Sequence, residues 1–175
     1  MRQILGRVVL ALVAMTAVTE ASPLDGLHVE GWYGKLGVES GVVFARERGA
    51  SPLVGVIATF VHINDDLEWG GLQADALVDW NGDRDAGGRW SVGPEAGVSI
   101  YGADVSYFGE RVAGDTHHGV QVRAKLTLGV AAVYGRASYA LTGTDETSFD
   151  VGIQLKAPVW KRRPRRGPAV PVAQR

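Results

Sequence analysis

The chain has 175 residues, a net charge of −1, no cysteine and a mean hydropathy of +0.02, enough apolar material for one domain with a core. This composition excludes collagenous, disulfide-stapled and zinc-finger proteins. Glycine is the outlier, because 24 residues are about 14% of the chain, roughly twice the usual share. The near-zero charge sums unlike segments, since residues 161–175 carry six basic side chains and no acid, whereas residues 22–160 carry 18 acids and 10 bases.

The N-terminus has the pattern of a secretory signal peptide. Residues 1–7 are short and basic, residues 8–18 form an apolar run, and small residues at Thr19 and Ala21 precede a cleavage site. The apolar run is well short of the roughly 20 residues that a membrane-spanning helix needs. We therefore expect a signal peptide at 1–21, a β-barrel domain at 22–160 and a basic, Pro-rich disordered tail at 161–175.

The mature chain alternates apolar and polar residues over long stretches and has no run with helical periodicity. This pattern predicts eight strands, at residues 36–45, 53–63, 67–80, 89–101, 103–112, 119–128, 131–141 and 147–157. The connections alternate between long polar ones, at 46–52, 81–88, 113–118 and 142–146, and short ones, at 64–66, 102 and 129–130. Such an alternation is typical of a meander whose two ends face different environments.

Three features favour lipid on the apolar side of these strands. Strands of about ten residues are long enough to cross the hydrocarbon when tilted. The polar faces are built from glycine, serine and isolated charges, and the body before the tail has only three lysines. Aromatic residues stand at strand ends, as in the interfacial girdles of membrane barrels. We expect this interfacial role for Trp69, Trp80, Trp90, Tyr101 and Trp160.

In these features residues 36–160 resemble the small eight-stranded outer-membrane β-barrels of Gram-negative bacteria. The resemblance implies an all-β fold, an eight-stranded antiparallel up-and-down (meander) β-barrel of the transmembrane type, located in the cell outer membrane. It also implies a non-enzymatic envelope role, either structural or in surface interaction through long loops. We expect a monomer surrounded by outer-membrane lipid, with no cofactor.

Three features fit this resemblance poorly. Pro94 cannot donate to a strand ladder and belongs at an edge or a bulge. Such barrels end on a terminal aromatic residue, whereas fifteen residues follow Trp160 here. Residues 53–63 are apolar on both faces, which suits the core strand of a soluble barrel. The alternative is therefore a soluble periplasmic β-barrel that binds an apolar ligand in its interior.

In a membrane barrel the charged residues of the polar faces would enter the lumen. The expected lumenal charge network comprises Glu39, Asp75, Asp79, Glu95, Asp150, Arg123, Lys125, Arg136 and Lys156. Acids on the third and fourth strands lie across the lumen from bases on the sixth and seventh. Because side chains fill the interior of an eight-stranded barrel, we expect salt bridges that cross the lumen and close it.

A lipid A-modifying membrane enzyme is a more distant alternative. Such an enzyme needs a nucleophile and a base on one rim, and Ser106 with His117 or His118 are the candidates. Their spacing matches no catalytic motif. We therefore predict no catalytic residue.

Two segments offer groups that could ligate a metal. The loop after the third strand has oxygen ligands at alternate positions, Asp79, Asn81, Asp83 and Asp85. Arg84 stands where the turn glycine of an EF-hand belongs and Trp90 where its bidentate glutamate belongs, so the pattern fails. His117 and His118 with Asp115 lack a distant histidine partner. We predict no metal site.

The C-terminal segment is strongly basic, at Lys161, Arg162, Arg163, Arg165 and Arg166. Both ends of an eight-stranded meander emerge on the same side, here the periplasmic one. The tail is expected either to bind anionic lipid or cell-wall polymer through its charge, or to be a solubilising extension without a partner. Nucleic acid is an implausible partner for an exported chain.

Overall fold

The structure is a computed structural model that describes residues 30–45, 49–79, 87–112, 114–142 and 147–162. The predicted signal peptide and most of the basic tail lie outside these residues. Eight antiparallel strands form a closed barrel in which each strand pairs with its chain neighbours and the last pairs with the first. The strands are β1 (Gly31–Ala45), β2 (Gly49–Ile63), β3 (Glu68–Asp79), β4 (Gly87–Val98), β5 (Tyr101–Val112), β6 (Asp115–Leu128), β7 (Ala131–Ala140) and β8 (Thr147–Arg162). The predicted eight-stranded meander barrel is confirmed.

The barrel is apolar outside and polar inside. On β6, Arg123 is fully buried in the interior while its neighbour Val122 is 54% exposed on the outer surface. On β8, Asp150 is fully buried and Ile153 is 53% exposed. This polarity is the reverse of that of a soluble barrel. It contradicts the alternative of a soluble barrel whose interior is generally apolar. No helix in the described ranges is long and apolar enough to cross a membrane.

The strands extend further than the sequence predicted, and this changes the connections. At the end opposite the termini, β1 and β2 are separated only by residues 46–48, and β5 and β6 only by residues 113–114. Two of the four predicted long loops are therefore connections of only three and two residues. The polar residues there continue the ladder, because backbone pairing does not depend on the side chains being apolar. The longer connections are residues 80–86 and 141–146.

Strand β2 is apolar on both faces because it supplies an apolar wall to the lumen. Leu53, Ile57 and Val61 point inward and are 1–3% exposed, whereas Val54 and Val56 face outward. The apolar stretch at residues 53–63 is therefore a barrel strand with one apolar face toward the lumen and the other toward the outer surface. The charged residues of the lumen come from the other strands.

The strands have two irregularities, Pro94 on β4 and a bulge on β8, and neither leaves an open edge in the barrel. Pro94 pairs with Leu72 of β3, but the ladder between β4 and β5 lacks pairs at Gly93 and Pro94, since proline has no N–H to donate. On β8 a bulge shifts the register between Gly34 and Lys35 of β1. Beyond the bulge Trp160 lies on the outer surface and stacks on Phe60, with ring centroids 5.7 Å apart.

Glycines on the inner face make room for large polar side chains. Gly41 of β1 and Gly152 of β8 are directly paired across the strands that close the barrel. A Cβ atom at Gly152 would lie 2.7 Å from the Tyr134 hydroxyl oxygen, and one at Gly41 would lie 2.9 Å from it. The pair therefore allows the Tyr134 side chain to enter the lumen.

We expect Gly152→Val to destabilise the barrel at its closing seam. The added side chain overlaps Tyr134 and the β1 backbone, and overpacking of this kind costs about 1–3 kcal/mol or more. Gly88→Val is the matched control, because a Cβ atom at the outward-facing Gly88 meets no atom within 4 Å. The folded fraction is measured by the mobility of unheated protein in a denaturing gel. Equal folded fractions for the two variants would contradict the role of the seam.

Candidate functional site: the charged lumen

Two arginines form the centre of the lumen. Arg123 on β6 and Arg136 on β7 are directly paired across the two strands, and both side chains are fully buried. Like charges in directly opposite positions of a sheet are destabilising. A buried pair of this kind therefore requires acidic groups from elsewhere in the barrel.

Glu39 and Asp75 each bind both arginines. Glu39 of β1 lies 2.8 Å from the Arg123 Nη1 atom and 3.3 Å from the Arg136 Nη1 atom. Asp75 of β3 accepts a hydrogen bond from the Arg123 Nη2 group and lies 3.7 Å from the Arg136 Nη1 atom. The Gln154 amide of β8 also donates to Glu39, at 2.8 Å. The contacts of Glu39 and Asp75 with the arginines cross the lumen and join strands that are not neighbours, whereas Gln154 lies directly opposite Glu39 on the neighbouring strand.

Further acids complete the neutralisation of the arginines. The Arg136 Nε group donates to Asp150 at 2.8 Å, and the Arg123 Nε atom lies 3.4 Å from Asp104. The Tyr134 ring lies beside both guanidinium groups, whose carbon atoms are 5.2 and 5.5 Å from its centroid. Such contacts between a cation and an aromatic ring are favourable where water is excluded. The two cations are thus held by carboxylates and one aromatic face.

A second ion-pair group lies nearer the end that carries the termini. Lys125 donates hydrogen bonds to Glu95 and, at 3.3 Å, to the Gln73 amide oxygen, and its Nζ atom lies 3.4 Å from Asp104. The same ammonium group lies 5.3 Å from the Trp69 ring centroid. Because Asp104 contacts both Arg123 and Lys125, the two groups form one continuous network.

The remaining predicted lumenal residues lie apart from this centre. Asp79 is buried near the opposite end of the barrel, where it accepts a hydrogen bond from the Ser51 hydroxyl. Lys156 is half-buried and lines a recess at the end that carries the termini. In the described part of the chain it forms no ion pair with any acid of the network.

Sequence reasoning missed two members of the network. Asp104 of β5 is 2% exposed and contacts Arg123 and Lys125, and Arg89 of β4 lies 3.8 Å from Asp150. Both residues stand on inner faces that strict alternation along their strands would have identified. The alternation was therefore a sufficient signal for both.

The predicted interfacial aromatic residues divide between the two faces. Trp90, Tyr101 and Trp160 are exposed on the outer surface, and Trp80 lies outside the described residues. The prediction for Trp69 is wrong, because its ring points into the mouth of the barrel and its Nε1 group donates to the Ser99 carbonyl at 3.3 Å. Trp69 shares the inner face of β3 with the buried acids, so the alternation of that strand places it inside.

The catalytic candidates are not brought together. Ser106 is buried in the lumen, donates to Asp104 at 3.2 Å and pairs in register with Gln121. His118 is three residues further along β6, about 10 Å away at the usual rise per residue, and its ring stacks on the outward-facing Tyr107. His117 interacts with the Thr142 carbonyl through Nδ1. These three candidates therefore do not form a nucleophile and base on one rim.

The metal-ligand candidates are also separate. Asn81, Asp83 and Asp85 lie outside the described residues. Among the described residues no three histidine or acidic side chains are close enough to hold a metal ion.

The start of the basic tail belongs to the barrel. Lys161 and Arg162 are the last residues of β8 and pair with Tyr33 and Trp32 of β1. The strand therefore ends two residues later than the predicted boundary of the domain. Arg163, Arg165 and Arg166 lie outside the described residues, so their part in the tail stays a prediction.

The fold is similar to the crystal structure of Neisserial surface protein A, with a TM-score of 0.51 and 13% sequence identity. The similarity covers 73% of this chain and 96% of that chain. No protein-family model and no curated protein matches the sequence. The shared fold confirms the architecture of a small eight-stranded antiparallel barrel, and the outward apolar face is that of a transmembrane barrel.

We expect Arg123→Met to destabilise the barrel by about 3–5 kcal/mol, because it leaves buried carboxylates without their cation. Arg111→Met is the matched control, since Arg111 is exposed on β5 and its replacement costs less than about 1 kcal/mol. Urea unfolding in lipid vesicles, followed by tryptophan fluorescence, measures both. Equal unfolding free energies for the two variants would contradict a stabilising role of the network.

Proposed function

We propose that this protein is an outer-membrane barrel with a closed lumen, which serves as a structural or surface component of the cell envelope and not as an enzyme. The observation that carries the proposal is the ion-pair network of buried side chains that crosses an apolar-faced barrel. The apolar outer surface supports placement in lipid. The charged interior supports closure to ions.

Insertion of this barrel in a bilayer is physically favourable. Each strand pairs on both sides, so the ladder leaves no open sheet edge to be desolvated in the hydrocarbon. Apart from Ser40 of β1, the exposed residues in the middle of the strands are apolar, as Leu72, Val105 and Val133 illustrate. Aromatic residues are placed near both ends of the outer surface, with Trp160 at one end and Trp90 at the other. Outer-membrane lipid is therefore the proposed surrounding of the barrel.

The lumen is poorly suited to conduction. Arg123, Arg136, Glu39 and Asp75 are fully or almost fully buried and touch one another across the centre. Displacing any one of them would leave an opposite charge uncompensated in the interior. An ion entering the lumen would have to break these contacts. The network therefore supports a barrel that is closed at rest.

The geometry favours a structural over a catalytic role. Ser106 is enclosed in the lumen, and its contact is the Asp104 carboxylate and not an imidazole. The segments at the far end that are long enough to present a binding surface are residues 80–86 and 141–146, so any surface interaction would use these two. If lipid A from cells with the Ser106→Ala variant differed from lipid A of wild-type cells, the non-enzymatic role would be contradicted.

Membrane fractionation tests the proposed location. We expect the protein in the outer-membrane fraction, with faster gel mobility before heating than after it, because a closed barrel resists detergent denaturation. Release of the protein by mild osmotic shock, together with unchanged mobility on heating, would contradict membrane insertion.

Planar-bilayer recording tests the closed lumen. We expect no stepwise current from the wild-type barrel and discrete steps when Arg123, Arg136, Glu39 and Asp75 are all replaced by serine. This change removes two positive and two negative charges, so the central side chains are lost while the net charge of the lumen stays the same. The control replaces a charge-balanced pair at the exposed end of the barrel, Arg111→Ser with Asp115→Ser, and should stay silent. Steady conductance of the wild-type barrel would overturn the proposal.

A further inference from the structure

A recess of about 380 Å³ opens the lumen at the end of the barrel that carries the termini. Its volume falls within the range of about 300–1,000 Å³ that is typical of ligand pockets. The ion pair of Lys125 with Glu95 forms its inner boundary, since Glu95 lines the recess and Lys125 lies beyond it against Trp69. The recess is therefore blind and separate from the central arginine pair.

Most of the recess wall is apolar. The side chains that line it include Val61, Ile63, Leu67, Ile100, Leu128 and Trp69. A wall of this kind holds an apolar group better than it holds water. Small hydrated anions alone would leave this surface unused.

Two lysines also line the recess. Lys35 of β1 and Lys156 of β8 lie on neighbouring strands, with Lys156 diagonal to Lys35 across the ladder, where backbone positions are about 7–8 Å apart. Both are half-buried, and among the described residues neither forms a salt bridge. Glu95 lines the same recess and its charge acts on both lysines, but its ion-pair partner is Lys125. Two partly desolvated ammonium groups side by side favour a shared anion.

A hydroxyl group lies beside the lysines. Thr59 of β2 is directly opposite Lys35 in the register, lines the recess and is 6% exposed. It could donate to the same anionic group as the two ammonium groups. The recess thus combines three hydrogen-bond donors with an apolar wall.

We propose that this recess binds a single-chain amphipathic anion, with its carboxylate or phosphate on Lys35 and Lys156 and its alkyl chain against the apolar wall. This ligand class satisfies both parts of the lining. The proposal goes beyond the closed-barrel function, because a blind recess binds its ligand whether or not the barrel conducts.

Quenching of Trp69 fluorescence by decanoate brominated at its end tests the proposal. The protein keeps Trp69 and carries phenylalanine at its other four tryptophans. We expect saturable quenching in lipid nanodiscs, weakened by about tenfold or more when Lys35→Gln and Lys156→Gln are combined. Brominated decanol, which lacks the charge, should bind more weakly by a similar factor.

Two further variants separate binding from lipid partitioning. Lys161→Gln is the matched control, because Lys161 lies at the rim, 5.0 Å from the Tyr33 ring centroid, and does not line the recess. Its Trp69 fluorescence should be quenched by brominated decanoate to the same extent as in the parent protein. Ala132→Phe fills the recess without changing its charge and should abolish saturable quenching. Saturable quenching that is unchanged in the Lys35 and Lys156 double variant would overturn the proposal, as would quenching that never saturates.

Native mass spectrometry of the full chain with its natural tryptophans provides a second measurement. One bound decanoate is expected on the wild-type barrel and none on the double variant. Competition with decyl phosphate identifies the source of the anion. If bound decanoate is retained in the presence of decyl phosphate, the site takes a fatty acid. If decyl phosphate displaces it, the site also takes a lipid phosphate. Absence of any bound amphiphile on the wild-type barrel would contradict the proposal.

Discussion

The opposed pair of Arg123 and Arg136 is the constraint on which the interior of this barrel depends. Two buried like charges on neighbouring strands are unfavourable, and their neutralising acids come from β1, β3, β5 and β8. Glu39 and Asp75 reach both arginines because the sheet closes and brings these strands to face β6 and β7. Closure of the barrel and neutralisation of the arginines are therefore a single condition, and neither would be stable without the other.

The same charges specify the register of the strands. A slip of one residue in β6 would turn Arg123 toward the outer surface and Val122 into the lumen. In a bilayer, an arginine facing lipid near the midplane costs about 2–4 kcal/mol, and its carboxylate partners would lose their cation. The apolar outer face alone also disfavours the slip, but the ion pairs penalise it from inside the barrel. Lumen and lipid thus favour the same alignment.

The sequence predicts the strand number, the meander and most of the network because all three follow from period-two alternation. Trp69 was misplaced because aromatic type was given more weight than its position on the inner face of β3. The extent of the strands could not be predicted, since residues 49–52 and 115–118 show no alternation of apolar and polar residues and nevertheless pair in the ladder. The recess with Lys35 was also beyond prediction, because it depends on how the turns and strand ends converge in three dimensions.

The surplus of glycine follows from the size of the lumen. An eight-stranded barrel has room for side chains and little else, yet this one encloses two arginines and the Tyr134 ring. Gly41 and Gly152 lie where Tyr134 approaches β1 and β8, and any side chain there would displace the ring from its position against the guanidinium groups. Large charged residues on one wall therefore require residues without side chains on the facing wall. The two glycines of the closing seam are in this sense a consequence of the buried arginines.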